Sequence, residues 1–147
     1  MSRIDKATLT DIYHVSIYCA DIQRHMQLTE RSTQPNGFYM RKQRQITEQT
    51  RSILVDWLMT VCMKFKCLPE TLFITINLID RFLSLNSIRK DDMQLVGVAA
   101  LLIATKYEEI YPPTVKDFVY LSESTYSRVQ ILEMEKKILF DLQFEIT

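Results

Sequence analysis

The sequence predicts an all-α domain, and its glycine count, residue usage and apolar spacing all support that fold class. The 147 residues contain two glycines and four prolines, too few for an all-β fold with many tight turns. Leu, Ile, Met, Gln, Glu and Lys are abundant, and these residues favour helices. From about residue 47 onward, apolar residues recur at the spacing of an amphipathic helix. The length is that of one ordinary domain, so we expect one helical core.

Composition and charge exclude several classes of function. Eighteen Lys and Arg balance eighteen Asp and Glu, which leaves no excess positive charge for binding nucleic acid. Two glycines cannot form a Gly-rich phosphate loop or a dinucleotide fingerprint. Two histidines and three cysteines, which we expect to be reduced, supply neither a zinc site nor a disulfide framework: Cys19, Cys62 and Cys67. No candidate nucleophile has a His in a plausible cleft motif, and Glu108-Glu109 look like helix-end charge, so we expect a non-enzyme without cofactor or metal.

Two observations indicate an intracellular chain that does not enter a membrane. Met1 to Val15 carries charges and has no apolar stretch of signal-peptide length. The longest apolar run, Leu95 to Ala104, has ten residues. A membrane-spanning helix needs roughly 20.

Residues 1–46 are predicted to form an amino-terminal helix and a tether. The helix is amphipathic and spans about Ile17 to Leu28, with three side chains at helical spacing: Tyr18, Ile22 and His25. A turn follows at Pro35-Asn36-Gly37. A small basic cluster comes next, made of Arg41, Lys42 and Arg44. The simplest interpretation of this cluster is a solvated linker, and contact with a phosphate or an acidic partner is the other.

Residues 47–147 are predicted to form a bundle of five helices. Thr47 can cap the first helix, which ends near Lys66. Its apolar stripe consists of Ile53, Leu54, Trp57, Leu58, Val61, Cys62 and Phe65. Pro69 can begin the second helix, which runs to about Leu85. Its stripe consists of Leu72, Phe73, Ile76, Ile79, Phe82 and Leu83.

The third helix is predicted to lie in the centre of the bundle. Asp91 and Asp92 can begin it, and residues 95–104 are apolar on every side, which is typical of an enclosed helix. Its small residues would let neighbouring helices approach closely: Gly97, Ala99, Ala100 and Ala104. Pro112-Pro113 end it. Thr114 can cap a fourth helix, and Ser127 with Gln130 forms a capping box for a fifth.

Four charged residues are placed on apolar faces rather than opposite them. Arg51 and Asp80 each precede a core leucine by three residues. Burial of either alone would be costly, so we expect them to pair and to brace the first two helices. Lys106 and Glu135 lie on seams near helix surfaces. They could form a second internal pair, or they could anchor a partner beside an exposed apolar patch, and spacing alone does not decide.

Trp57 leaves a similar choice. On spacing alone, Ile53, Leu54 and Trp57 are more often core residues than a docking site. An enclosed third helix, however, leaves more apolar surface on the first helix than one neighbour covers. Such a surface, if exposed, would bind a partner.

Four blocks of the sequence are long and specific: TRSILVDWL (50–58), NLIDRFLS (77–84), QLVGVAALLIATKYEEIYPP (94–113) and FVYLSESTYS (118–127). These blocks resemble the first, amino-terminal box of the cyclin family, closest to the A- and B-type mitotic cyclins. With the amino-terminal helix, the resemblance covers about Ile17 to Thr147. It implies a five-helix bundle around a central helix, and a non-catalytic activating subunit of a cyclin-dependent Ser/Thr kinase in the nucleus and cytoplasm. Such cyclins usually carry a second box, which we expect this chain to lack.

The resemblance also implies roles for individual residues. Lys106 and Glu135 match positions that hydrogen-bond the kinase near its αC helix. The apolar positions that pack on that helix and its surroundings match Ile22, Ile103, Tyr107, Leu139, Phe144 and Ile146. Arg51 and Asp80 match an internal salt bridge. The patch that docks substrates and inhibitors with Arg-x-Leu motifs matches Ile53, Leu54, Trp57, Met93 and Gln94.

Two residues depart from the family's docking pattern. Thr50 replaces the Met of an MRxILVDWL motif, and Thr60 stands where A-type cyclins have a Glu that pairs with the basic side of the docking motif. Loss of a carboxylate weakens an electrostatic contact. We therefore expect docking that is weaker or altered in specificity, with kinase activation intact.

A transcription-factor scaffold is the alternative function, because cyclin-like folds also occur in general transcription factors that touch DNA. Such a role would require a basic face. A neutral chain without an aromatic-basic stripe argues against it.

Overall fold

The computed structural model describes residues 15–147, and the regular structure in this range is helical, as predicted. The α-helices are α1 (Cys19–Glu30), α2 (Glu48–Phe65), α3 (Pro69–Leu85), α4 (Met93–Glu108), α5 (Val115–Leu121) and α6 (Arg128–Asp141). Short 3-10 turns span Ser16–Tyr18, Tyr39–Lys42 and Lys90–Asp92. The chain divides into an amino-terminal unit that ends at Gln34 and a helical bundle, Pro35–Ile146. Across residues 15–147, no helix is long and apolar enough to cross a membrane.

The amino-terminal unit contains α1, near the position that the sequence predicts. A 3-10 turn precedes the helix, after Val15 in a left-handed conformation with φ of 43°. None of the residues of α1 is buried. The apolar side chains of α1 are therefore at least partly exposed, among them Ile22, at 42%.

Helices α2 and α3 begin where the sequence predicts, and each start has a local cause. The Thr47 hydroxyl accepts a hydrogen bond from the Thr50 N–H, and the Thr50 hydroxyl accepts one from the Thr47 N–H, both at 3.3 Å. This reciprocal pair satisfies two of the four free N–H groups at the start of α2. Lys66, in a left-handed conformation, ends the helix. Pro69 occupies the first turn of α3, where its missing N–H costs nothing.

Helix α4 lies in the centre of the bundle, as predicted. Every residue from Leu95 to Thr105 is buried. Helix α4 packs against α2, α3, α5 and α6. The predicted caps of the last two helices are also confirmed. Thr114 forms a reciprocal box with Asp117 at α5, and Ser127 forms one with Gln130 at α6. These caps fix the first residues of α5 and α6, the two helices that complete the enclosure of α4.

The bundle begins at Pro35, earlier than the boundary expected at residue 47. Tyr39 and Ile46 are 7% and 3% exposed and belong to the core. The Gln43 amide donates to the carbonyls of Leu83 (2.8 Å) and Asn86 (2.6 Å). The segment expected to be a tether therefore packs on the bundle through Tyr39, Gln43 and Ile46, which are three to four residues apart although its regular structure is a 3-10 turn of four residues. The basic side chains between them are exposed: Arg41, Lys42 and Arg44.

Candidate functional site

Three polar side chains join α2, α3 and the segment that precedes α2. Arg51 donates two hydrogen bonds of 2.7 Å to the Asp80 carboxylate, from Nε to Oδ1 and from Nη2 to Oδ2. The Tyr39 hydroxyl donates to Oδ1 of the same carboxylate at 2.5 Å. The pairing of Arg51 with Asp80 is the one that the spacing predicts. Tyr39 is a third member that the sequence analysis missed.

Burial makes this cluster a structural brace. The side chains of Arg51 and Asp80 are 32% and 12% exposed. The hydrogen bond to Asp80 raises the pKa of Arg51. Burial, followed by the hydrogen bond to Asp80, raises the pKa of the Tyr39 phenol, which therefore keeps its proton well into the alkaline range. The brace holds α2 on α3 and thereby positions the turn of α2 that carries Leu54.

A groove of about 600 Å³ lies between α2 and the start of α4. Leu54 and Met93 line it but are 6% and 3% exposed, whereas Ile53 is 64% exposed and Trp57 is half-buried. Gln94 also lines the groove, so the structure brings all five predicted docking residues together. The volume lies within the range of pockets that bind ligands. Of the residues in the Trp57 region, Leu54 is a core residue and Ile53 is exposed, and their docking role stays a prediction.

Gly97 of α4 makes room for the side chain of Leu54, which lines the groove. A Cβ atom at Gly97 would lie 2.8 Å from Cδ1 of Leu54 and 3.2 Å from its Cδ2. Carbon atoms in contact normally lie about 3.5–4.0 Å apart. Glycine therefore permits α4 and α2 to approach each other directly beneath the groove, as the small residues of α4 predict.

The polar lining of the groove carries little charge. Gln45, Gln49, Thr50 and Lys90 contribute to it, and Lys90 is the charged residue among the described lining. The Thr50 hydroxyl is occupied in the cap of α2. Thr60 does not line the groove, and its hydroxyl donates to the Asp56 carbonyl at 3.1 Å. Neither of the two threonines that depart from the family pattern supplies a negative charge.

A second candidate face lies on the carboxyl-terminal halves of α4 and α6. The Lys106 ammonium donates to Oε1 of Glu135 at 2.5 Å, and the two side chains are 48% and 11% exposed. The internal pair, one of the two alternatives left open by the sequence, is therefore present in the chain by itself. The kinase-anchoring role of these residues stays a prediction.

The apolar residues predicted for this face differ in their exposure. Tyr107 and Phe144 are 52% and 58% exposed, and Leu139 and Ile146 are half-buried. Ile103 is 2% exposed and lies in the core, because it precedes Lys106 by one turn, where α4 is still enclosed. A partner that meets this face would contact the other residues directly and Ile103 only through them.

A left-handed turn shapes the end of this face. Gln143 and Phe144 have φ values of 54° and 60°, which is unusual for a bulky residue such as Phe. The Phe144 N–H donates to the Leu139 carbonyl at 2.8 Å. The turn sets the Phe144 ring edge-on to Phe140, with ring centroids 5.4 Å apart. Phe140 is 59% exposed and extends the apolar surface, although the sequence analysis did not identify it.

Glu109 has a structural role that the sequence analysis missed when it treated this residue as helix-end charge. Its Oε1 atom accepts hydrogen bonds from the Leu68 N–H (2.7 Å) and the Thr71 hydroxyl (2.6 Å). A carboxylate at this point satisfies a free N–H and favours the positive end of α3. The end of α4 is therefore fastened to the start of α3, and no local spacing rule connects residues 38 or more positions apart.

Outside these two faces, the groups with possible chemical roles are the cysteines and the candidate metal ligands. All three cysteines are free thiols, and burial raises the pKa of Cys62 to about 12. Burial also raises the pKa of Cys67. Within residues 15–147, no group of three or more His, Cys, Asp and Glu is placed to hold a metal ion.

A family model, curated relatives and a solved structure that are similar to this chain are all cyclins. The family model for the amino-terminal domain of cyclins matches residues 21–147. Cyclin-A1 of Mus musculus is 46% identical over 138 residues, which cover 94% of this chain and 33% of that protein. Cyclin-B1-3 of Arabidopsis thaliana is 55% identical over 109 residues, or 74% of this chain and 26% of that protein. A viral cyclin from herpesvirus saimiri is similar in structure, with a TM-score of 0.75 and 25% identity over 84% of this chain and 54% of that chain. The chain thus spans about a third of Cyclin-A1, about a quarter of Cyclin-B1-3 and about half of the viral cyclin chain.

Proposed function

The chain belongs to the cyclin family, and on that premise we propose that it is a non-catalytic regulatory subunit that binds and activates a cyclin-dependent Ser/Thr protein kinase in cell-cycle control. The observation that carries the proposal is the Lys106–Glu135 pair, in which a nearly buried Glu135 holds a Lys106 side chain that is 48% exposed, with the exposed Tyr107 next to Lys106 in the chain. Protein interfaces commonly combine an apolar centre with a few well-placed polar groups. The family resemblance implies that the αC helix of the kinase meets this face.

Activation by such a subunit is a shift of the kinase between two states. An active kinase requires its β3 Lys and αC Glu to pair and its activation loop to be in place. A subunit that binds this state more tightly than the inactive one increases its population. A shift from 1:99 to 99:1 requires about 5.5 kcal/mol of differential binding. A largely apolar signalling interface of about 2,000 Å² or more is of sufficient size.

The groove between α2 and α4 is proposed to dock short motifs of substrates or inhibitors, of the Arg-x-Leu type that the family binds. Its apolar base and exposed Ile53 suit a leucine side chain. The side-chain amides of Gln49 and Gln94 border it and can each donate to and accept from the main chain of an extended peptide. For the protein in the cell, we propose the nucleus and cytoplasm, which a fluorescent fusion would test.

The kinase proposal is tested by titrating the chain into a purified cyclin-dependent kinase and measuring phosphate transfer to a peptide. Lys106→Ala combined with Glu135→Ala should raise the concentration for half-maximal activation at least about 10- to 100-fold, because even one charged hydrogen bond contributes about 1.5–3 kcal/mol. Arg89→Ala combined with Asp92→Ala removes another ion pair, outside this face, and is the matched control. Circular dichroism checks that both variants are folded. A folded Lys106/Glu135 variant that activates as well as the wild type would overturn the assignment.

A further inference from the structure

Phe140 and Phe144 form an exposed aromatic pair at the carboxyl-terminal end of α6. Their rings lie edge to face, with an interplanar angle of 72° and centroids 5.4 Å apart. The two residues are 59% and 58% exposed. A single exposed apolar residue is common on a protein surface, but two aromatic side chains in contact form an apolar patch. The core of the bundle does not account for this patch.

Local contacts hold the pair in place. The Gln143 N–H donates to the Phe140 carbonyl at 3.1 Å, and the Phe144 N–H donates to the Leu139 carbonyl at 2.8 Å. The left-handed conformation of Gln143 and Phe144 reverses the chain and brings the second ring back to the first. The Lys136 ammonium lies 5.7 Å from the centroid of the Phe140 ring, within the range of a cation–π contact. Side chains that are ordered before a partner arrives lose less entropy on binding.

The pair is continuous with the face proposed to meet the kinase. The resemblance places Phe144 on that face, and the Phe144 ring contacts Phe140. Leu139, which precedes Phe140 in the chain, and Ile146 belong to the same set and are half-buried. A kinase that covers Phe144 would therefore lie within reach of Phe140. Phe140 itself is not among the positions to which the resemblance gives a role.

The charged groups next to the pair leave room for an apolar contact. Asp141 follows Phe140, but its carboxylate accepts a hydrogen bond from the Asn86 side-chain amide at 2.9 Å and is directed toward the end of α3. Glu145 follows Phe144 and is exposed to water. An apolar side chain of a partner can thus cover the rings without burying either carboxylate.

We propose that Phe140 is a further kinase-binding residue, whose ring packs together with that of Phe144 against an apolar side chain of the cyclin-dependent kinase. The inference rests on the proposed kinase-binding function and adds one residue to that surface. Because the two rings contact each other, they act on the kinase as one unit.

The test measures the dissociation constant between the complete chain and a purified cyclin-dependent kinase by biolayer interferometry. Phe140→Ala should raise it about five- to tenfold, because the variant deletes apolar area that only the complex buries. Phe140→Gln, which replaces the ring with a polar side chain, should raise it by as much. Phe140→Leu keeps an apolar side chain and should raise it by no more than about threefold. Phe140→Ala combined with Phe144→Ala should raise it by less than the product of the two single effects.

Phe73→Ala is the matched control, because Phe73 is 71% exposed on α3, outside this face. It should leave the dissociation constant within about twofold of the wild type, and circular dichroism checks that each variant is folded. The inference is refuted if the folded Phe140→Ala and Phe140→Gln variants bind as well as the wild type, or if Phe73→Ala weakens binding equally. In that event the proposed function stands as long as Lys106→Ala combined with Glu135→Ala weakens binding. If the wild type does not bind the kinase, the proposed function fails and this inference fails with it.

Discussion

Asp80 is the residue whose loss should destabilise the bundle most clearly. Asp80→Ala removes the acceptor of three hydrogen bonds, two from Arg51 and one from Tyr39. Tyr39 is 7% exposed, so its hydroxyl would be left without a partner, at a penalty of about 1–3 kcal/mol. Breaking a buried ion pair costs about 3–5 kcal/mol. The Arg51 side chain is 32% exposed and can regain water, so we reduce the total to about 3 kcal/mol.

The measurement is urea unfolding followed by circular dichroism. A loss of about 3 kcal/mol is a large part of the total stability of such a domain, and it should lower the melting temperature by roughly 6–12 °C. Arg89→Ala is the matched control, because the Arg89–Asp92 pair is exposed and should contribute less than about 1 kcal/mol.

A double-mutant cycle with Arg51→Met decides whether the pair itself is responsible. If the two side chains act together, the double variant should be at least about 1 kcal/mol more stable than the sum of the single effects predicts. Strict additivity, or an Asp80→Ala effect no larger than that of Arg89→Ala, would refute the assignment of a brace.

Three further predictions follow from single contacts. Gly97→Ala places a methyl group 2.8 Å from Cδ1 of Leu54, but this side-chain end can shift and Ala gains about 0.5–1 kcal/mol of helix propensity. The net cost in urea unfolding should therefore stay below about 2 kcal/mol, while peptide binding to the groove weakens. Glu109→Ala removes the acceptor for Thr71 and for a helix-start N–H, and a loss of about 1–2 kcal/mol is expected in the same assay, with no loss counting against the cap. The pKa of Cys62 rises from 9.0 to about 12 on burial, so the stability it contributes is present below pH 9 and declines as the pH rises toward 12. Cys62→Ala should therefore flatten the fall in unfolding free energy between pH 9 and pH 11, and an unchanged slope would contradict this.

The parts of the fold that local patterns determine could be predicted from the sequence. Residues 95–104 are apolar on every side, and a helix of this kind is buried when it is enclosed by other helices. Thr114 and Ser127 cap helices through bonds to residues three positions away, so the spacing alone identifies them. The pairing of Arg51 with Asp80 was predictable for a different reason. Two opposite charges on the apolar faces of adjacent helices have few other ways to avoid unpaired burial.

The contacts that the sequence did not reveal join a loop or a short turn to a helix far away in the chain, where no repeated spacing of side chains links the two. Tyr39 lies in a short 3-10 turn, and its bond to Asp80 spans 41 residues. Glu109 follows the end of α4, where a carboxylate has no helical role, and its partner Thr71 is 38 residues earlier. An aromatic hydroxyl or a carboxylate in a loop can bond to many positions. Only the packing of the whole bundle selects one of them.

The two interpretations of Lys106 and Glu135 that spacing left open are compatible. Glu135 is 11% exposed, so an unpaired carboxylate there would be costly, and Lys106 compensates it while remaining 48% exposed. The pair uses one donor of Lys106 and one oxygen of Glu135, which leaves further donors and a second oxygen for a partner. A kinase could therefore add hydrogen bonds to anchors that are already ordered, with a smaller loss of side-chain entropy. The same geometry explains why the kinase test removes both residues: Lys106→Ala alone would leave Glu135 buried without its counter-charge, and lost stability would be mistaken for lost binding.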